Sequence, residues 1–124
     1  MQPQTARILV IEDNLDIATL LQSVLGSHGY HVDLADDLSA LRASREHLPD
    51  LILADLLMPR MSGDEAIVHL RESPETRDIP VVLMSAAQDV EQRAAELGIA
   101  GYLRKPFDLD DLLTVVRRAL VTAS

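Results

Sequence analysis

The chain contains no cysteine, which excludes a disulfide framework and any metal site built from thiolates. It also lacks a basic run, because its eleven Lys and Arg residues are scattered singly or in pairs along 124 positions. Binding to a phosphate backbone requires clustered positive charge, whereas the formal net charge here is −9. We therefore expect no direct contact with nucleic acid.

Long apolar runs and glycine-rich phosphate loops are missing as well. The apolar segment from Ile8 to Ile11 is too short for a signal peptide, and no stretch is long enough to cross a membrane. None of the five glycines forms a G-x-G-x-x-G motif after a strand, which argues against dinucleotide binding. With 48% hydrophobic residues, residues 1–124 are expected to form a single, cytoplasmic domain without membrane insertion.

One stretch of the sequence is the most informative for the fold and for the site. Residues 51–54 are apolar at every position and are followed by a single carboxylate, Asp55. An apolar run without alternation is typical of a strand buried on both faces of a parallel sheet. Asp55 would then lie at the carboxyl end of that strand, which is the edge where open α/β sheets bind ligands.

Strand and helix patterns alternate along the whole chain. Strands are predicted at 7–11, 31–35, 51–54, 80–84 and 101–104, and helices begin near Asn14, Asp36, Asp64, Gln88 and Asp108. The apolar stripes of the first and last helices include Leu20 and Leu109, so we expect both to be buried. This alternation predicts an α/β, flavodoxin-like, doubly wound fold: a five-stranded parallel sheet of order 2-1-3-4-5 flanked by five helices.

The predicted strand ends collect charged and polar groups at one edge of the sheet: Glu12 and Asp13, Asp55, Ser85, and Lys105, which is the only lysine. Two carboxylates about 4 Å apart repel by roughly 4 kcal/mol at an effective dielectric constant near 20, so three acids call for a cation. Oxygen ligands with some positions left to water suit Mg²⁺. A lysine suits a phosphoryl group, so the set favours Mg²⁺-dependent phosphoryl transfer onto Asp55.

These motifs resemble the receiver domains of two-component response regulators. The resemblance rests on Glu12-Asp13-Asn14, on Asp55 followed by Met58-Pro59 and Gly63, on Ser85-Ala86, and on Gly101-Tyr102 through Lys105-Pro106-Phe107. It implies that Asp55 is the phosphoacceptor. It further implies that Asp13, Asp55 and the backbone carbonyl of Leu57 bind Mg²⁺ directly, while Glu12 acts through water.

The same resemblance assigns roles to the later motifs. Lys105 would contact the phosphoryl group, and its peptide bond to Pro106 is expected to be cis. Ser85 and Tyr102 would form a switch pair, in which the loop that carries Ser85 moves inward and the aromatic ring follows. The chain departs from the common pattern of this family at two places. Ser85 replaces the Thr often found there, and Ala100-Gly101 replaces the paired acids of many DNA-binding regulators.

The resemblance implies a signalling module rather than an enzyme in the ordinary sense, with self-catalysed phosphotransfer and autodephosphorylation. Its donor would be a histidine kinase or a histidine phosphotransfer protein. Its output surface would comprise helix 4, strand 5 and helix 5, with a downstream effector or a homodimer as partner. Two alternatives remain open: a metal-dependent phosphohydrolase, although Asp55 does not begin a D-x-D nucleophile motif and the chain has no cap insertion, and a degenerate receiver that acts as a passive interaction module.

Overall fold

In the computed structural model of the chain, five parallel strands form one sheet in the order β2-β1-β3-β4-β5. The structure describes residues 6–35, 48–55, 68, 70–86, 88 and 90–123, of which 122 and 123 only by their backbone. The strands are β1 (Arg7–Ile11), β2 (His31–Ala35), β3 (Leu51–Asp55), β4 (Val81–Ser85) and β5 (Gly101–Arg104). This topology confirms the flavodoxin-like order predicted from the sequence.

The described ranges contain three helices with defined bounds: α1 (Leu15–Ser27), α2 (Val90–Leu97) and α3 (Leu109–Ala123). They correspond to the first, fourth and fifth helices predicted from the sequence. Residues 70–72 are also helical and end the third predicted helix. Most of the third predicted helix, and the second one between Asp36 and Pro49, lie outside the described residues. No helix in the described ranges combines the length and the apolar content that a membrane span requires.

The sheet divides the apolar core into two layers. Alternate residues of β1 point to opposite faces, as the two-residue period of a strand requires. Ile8 and Val10 pack with residues of α1 and α3, whereas Leu9 and Ile11 pack with Val90 of α2. Every residue of β3 and β4 is buried, which confirms the prediction that the central strands are covered on both faces.

Helix α1 begins and ends as its sequence predicts. The side chain of Asn14 accepts a hydrogen bond of 3.1 Å from the backbone N–H of Ile17 and so satisfies a donor of the first turn. After the helix, Gly29 has φ of 94°, a left-handed conformation that a residue without a side chain adopts without strain. The chain then enters β2, which is an edge strand.

Helix α3 packs closely against the last strand. The Asp108 carboxylate accepts a hydrogen bond of 2.8 Å from the backbone N–H of Asp111, which confirms the predicted cap. A Cβ atom placed on Gly101 would lie 2.9 Å from Cγ2 of Val115. The glycine therefore permits the close approach of α3 to β5 at this point.

Two leucines that the helical periodicity placed in the core are exposed, so that prediction was wrong for them. Leu20 of α1 is 60% exposed and Leu109 of α3 is 52% exposed. Both line an open apolar cleft of about 370 Å³ between these helices, together with Phe107. The apolar stripe of each helix is wider than the strip that contacts the sheet, so the residues at its margin face the cleft.

Candidate functional site

The carboxyl ends of four neighbouring strands bring the predicted site residues together. Asp55 is the last residue of β3 and Ser85 is the last residue of β4, while Glu12 follows β1 and Lys105 follows β5. Because the strands are parallel and adjacent, their ends meet at one edge. Glu12, Asp55 and Ser85 are the buried polar side chains of the described residues, with exposed fractions of 4%, 7% and 1%.

The Lys105 ammonium joins two of the acids. Its Nζ atom donates a hydrogen bond of 3.0 Å to Oε1 of Glu12 and one of 3.2 Å to Oδ2 of Asp55. The lysine side chain is 22% exposed, against 1% for Glu12 and 10% for Asp55. A buried carboxylate is tolerated only when it is paired and hydrogen-bonded, and Lys105 provides that pairing for both groups.

The turn between β1 and α1 holds Glu12 from the other side. The backbone N–H of Asn14 donates to Oε2 of Glu12 at 3.2 Å, so both carboxylate oxygens of Glu12 have a donor. The backbone N–H of Glu12 itself donates to the carbonyl of Ala35 on the edge strand at 3.0 Å. Sequence reasoning identified Asn14 only as a helix cap and missed this second role. A hydrogen bond from a backbone N–H does not depend on the residue type at position 14, so no pattern in the sequence indicates it.

Burial and charge act in opposite directions on Glu12. Burial raises the pKa of Glu12 above its ordinary value of 4.5, and the charge of Asp55 raises it further. The hydrogen bonds from Lys105 and from the Asn14 backbone favour the ionised form but do not cancel the effect of burial. Protonation of this carboxyl group is therefore favoured in the folded protein relative to a solvated glutamate.

The ammonium group of Lys105 responds to the same surroundings. Burial alone would lower the pKa of Lys105, but the hydrogen bond to Glu12 and the charges of Asp55 and Glu12 together raise it above 10.5. Lys105 is thus positively charged at neutral pH. Its ammonium group can therefore neutralise one negative charge at the site at neutral pH.

The acidic groups have the chemistry of a site for a hard divalent cation. Carboxylate oxygens of Glu12, Asp13 and Asp55 all lie within 4.8 Å of one another. Among the described residues, three ionised carboxylates would face one ammonium group, that of Lys105, so negative charge is in excess at this edge. Asp13 is exposed, so the cluster is open to solvent. An all-oxygen set with room for water fits Mg²⁺.

The remaining predicted residues border the acidic cluster. The backbone N–H of Lys105 donates to the carbonyl of Ser85 at 2.7 Å, which holds the ends of β4 and β5 together. The Lys105–Pro106 peptide bond is cis, as expected. Tyr102 is partly buried and packs against the core layer that contains Val90. Leu57, the predicted backbone ligand, lies outside the described residues, as do the Met58-Pro59 and Gly63 positions.

A comparison with known families agrees with this arrangement. The family described as "Response regulator receiver domain" matches residues 8–117, which include every one of the site residues discussed above. The chain belongs to this family. The two-component receiver that the sequence motifs resembled is thereby confirmed, and the acidic cluster of this receiver domain occupies the carboxyl edge of its sheet.

Several similar proteins are longer than this chain. The phosphate regulon transcriptional regulatory protein PhoB of Escherichia coli is 38% identical over 117 residues, which are 92% of this chain and 51% of PhoB. The chain spans about half or less of the length of the curated relatives that it matches.

Among solved structures, the chemotaxis response regulator CheY4 of Vibrio cholerae aligns with a TM-score of 0.84 and 28% identity, over 94% of this chain and 100% of CheY4. The receiver domain of the sensor histidine kinase PA1611 of Pseudomonas aeruginosa aligns with a TM-score of 0.82 and 29% identity, over 95% of this chain and 99% of that domain. That structure contains a magnesium ion coordinated in its active site cleft.

Proposed function

We propose that this receiver domain accepts a phosphoryl group on Asp55 from a phosphohistidine donor and thereby switches a protein surface. The observation that carries the proposal is the position of Asp55: a buried carboxylate at the strand end, 3.2 Å from the ammonium of Lys105 and within 4.8 Å of two further acids. A carboxylate held beside an ammonium group and a cluster of acids that can bind a cation can act as a nucleophile toward phosphorus.

In the proposed reaction, a carboxylate oxygen of Asp55 attacks the phosphorus atom of the donor. A phosphorus–oxygen bond forms, the phosphorus–nitrogen bond to the donor histidine breaks, and the departing imidazole nitrogen keeps the electron pair of that bond. Lys105 already donates to Asp55, and one of its ammonium hydrogens would bind an oxygen of the transferred group. Removal of the phosphoryl group by water at the same site would end the signal.

Mg²⁺, when bound, would supply positive charge that offsets the negative charge on the phosphoryl oxygens. Asp13 and Asp55 would hold the ion directly, with Glu12 acting through water and the carbonyl of Leu57 as a further ligand. The three carboxylates in one small region support this assignment, as does the magnesium site of the PA1611 receiver domain.

Phosphorylation would be relayed by Ser85 and Tyr102. Ser85 is the last residue of β4, one strand away from Asp55, and its hydroxyl group would donate to the phosphoryl group. Tyr102 lies on β5 opposite Leu83 and packs toward α2. A movement at the end of β4 would therefore change the surface formed by α2, β5 and α3, where an effector or a second copy of the chain would bind.

The partners proposed here follow from the chemistry of the donor and from the relatives. A histidine kinase or a histidine phosphotransfer protein would supply the phosphoryl group. The similarity to PhoB, a transcriptional regulatory protein, and to the receiver domain of a sensor kinase supports a place in a two-component pathway. The net charge of −9 supports an output through protein contacts rather than through direct contact with nucleic acid.

The deciding experiment replaces the phosphoacceptor. Wild-type protein incubated with acetyl phosphate and Mg²⁺ should gain one phosphoryl group by intact mass spectrometry, and beryllofluoride with Mg²⁺ should shift the amide NMR signals of α2 and β5. Asp55→Asn should abolish both responses. The matched control is Asp16→Asn, which removes an exposed acid in the first turn of α1 and should leave both responses intact.

Two outcomes would count against the proposal. A wild-type protein that binds Mg²⁺ but takes up no phosphoryl group from acetyl phosphate or any phosphohistidine donor would instead indicate a passive interaction module. Repeated hydrolysis of a small phosphoester would indicate a phosphohydrolase.

A further inference from the structure

Helix α2 has fewer buried side chains than the other two described helices. Of its eight residues, only Val90 and Ala94 are buried, and alanine contributes little apolar area. Helix α1 buries Ala18, Leu21 and Leu25, and α3 buries four of its described side chains, including Leu112 and Val116. Because α2 is short, its buried apolar contacts are fewer in number than those of α1 or α3.

Two arginines from neighbouring elements hold α2, one at each end. Nη2 of Arg104 on β5 donates to the carbonyl of Gln88, just before the helix, at 3.2 Å. Nη2 of Arg71 donates to the carbonyl of Gly98, just after the helix, at 3.1 Å. A cation at a helix carboxyl end is favourable because of the helix dipole, whereas a cation beside the amino end is not. The dipole of α2 therefore does not explain why the Arg104 side chain lies at the amino end of this helix.

The position of Arg104 connects two parts of the proposed switch. Arg104 and Tyr102 are two residues apart on β5 and so lie on the same face of the sheet, toward α2. Gln88 belongs to the short segment between Ser85 and α2. The hydrogen bond from Arg104 thus connects β5, which carries Tyr102, to the segment that follows Ser85.

We propose that Arg104 is a positioning residue that holds Gln88, between β4 and α2, in its unphosphorylated position. This inference rests on the proposed function, in which the same segment moves inward when Asp55 is phosphorylated. An interaction made in only one of two states shifts the equilibrium toward that state by its own free energy. The bond from Arg104 to Gln88 therefore opposes activation and lowers the apparent affinity for a phosphoryl analogue.

The test is a titration of beryllofluoride at saturating Mg²⁺, followed by the amide NMR signals of residues 90–97. Arg104→Met should bind beryllofluoride about two- to fivefold more tightly than the wild type, the range expected for one exposed, charge-assisted hydrogen bond. Loss of a positive charge beside the site would by itself weaken the binding of an anion. The direction of the change therefore separates the loss of the bond from the loss of the charge.

Arg71→Met is the matched control, because it removes the same charge and the same kind of bond at the far end of the same helix. It should leave the dissociation constant within twofold of the wild-type value. Arg104→Gln serves as a second variant that keeps a polar side chain too short to make the original contact, and it should tighten binding in the same direction. Dissociation constants for Mg²⁺ alone should change by no more than the small tightening that the loss of one positive charge produces, since no movement of the segment is needed for metal binding.

Each outcome decides between the inference and the function on which it rests. Unchanged or weaker beryllofluoride binding by Arg104→Met, with a normal wild-type response, overturns the role of Arg104 and leaves the phosphoacceptor function intact. Equal tightening by Arg71→Met shows a general loosening of α2 and also overturns it. A wild type that does not respond to beryllofluoride overturns the proposed function, and the role of Arg104 with it.

Discussion

The middle of the sheet and its carboxyl edge differ in what burial does to stability. In the middle, Ile52, Leu53, Val82 and Leu83 are fully buried and apolar. At the edge, two residues beyond Leu53 on the same strand, the buried residue is the carboxylate Asp55. Burying a leucine side chain stabilises the fold by about 1.5–3 kcal/mol, whereas burying an ionised carboxylate costs free energy unless it is paired.

The contrast shows where the fold gains its stability and where it carries its chemistry. The apolar middle aligns the strands, and that alignment brings the acids that follow β1 and the acid that ends β3 to within 4.8 Å of one another. Such a cluster is unfavourable without a cation, so it lowers the stability of the free protein. Stability and reactivity are thus provided by adjacent segments of the same strands, and substitutions in the two regions should have effects of opposite sign.

The largest effect is expected in the middle of the sheet. Leu53→Ala removes a fully buried side chain from the central strand and leaves a cavity, so it should lower the free energy of unfolding by about 2–5 kcal/mol. The measurement is urea unfolding of the wild type and the variant in the absence of Mg²⁺. Leu109→Ala is the matched control, because this leucine is 52% exposed and its loss should cost only about 0.5 kcal/mol.

Equal losses of unfolding free energy in Leu53→Ala and Leu109→Ala would contradict the comparison. They would show that residues at the cleft margin contribute as much to stability as those in the central strand. A loss at Leu53 below about 1 kcal/mol would show that the sheet collapses around the cavity. Either result would weaken the claim that the middle of the sheet maintains the alignment of the site.

The pattern of strands and their ends could be predicted from the sequence because each depends on local signals. An unbroken apolar run indicates a central strand, and the first polar residue after it marks the edge where ligands bind. This predicted the places of Asp55 and Ser85, which the structure puts at the last positions of β3 and β4. The number of buried residues on a helix could not be predicted in this way, as Leu20 and Leu109 show.

Contacts to backbone carbonyls and N–H groups were also beyond sequence reasoning. The hydrogen bonds from Arg104 to the Gln88 carbonyl and from the Asn14 backbone to Glu12 each have a backbone atom as one partner. They depend on the position of that backbone atom in the fold, and the type of the residue that supplies it does not matter. Such bonds leave no pattern in the sequence. They nevertheless determine how the site is held, which is why the structure adds most where side chains meet the main chain.

A smaller effect, of opposite sign, is expected at the carboxyl edge. Asp13→Asn removes one negative charge from a cluster that has three acids and one ammonium, so without Mg²⁺ it should stabilise the protein by up to about 1 kcal/mol. With saturating Mg²⁺ the order should reverse, because binding to the native state stabilises the wild type more than the variant. Urea unfolding with a chelator and then with Mg²⁺ measures both differences.

Asp16→Asn is the control for this second comparison, because Asp16 is an exposed acid in the first turn of α1. Its loss should destabilise the protein by about 0.3–1 kcal/mol through the helix dipole, with or without Mg²⁺. If Asp13→Asn lowered stability in both conditions, the carboxyl edge would not be a region of excess negative charge, and its contrast with the middle of the sheet would fail.

The smallest effect concerns pH and isolates Glu12. Because burial raises the pKa of Glu12 in the folded protein, its contribution to stability is fully present below pH 4.5 and is lost as the pH rises through the raised pKa. Lys105, whose pKa lies above 10.5, remains charged throughout this window. The stability of the wild type relative to Glu12→Gln, measured with a chelator, should therefore fall as the pH rises above 4.5 and then level off. A relative stability that rises with pH would mean that pairing with Lys105 outweighs burial, and that the edge is stabilised by its charges.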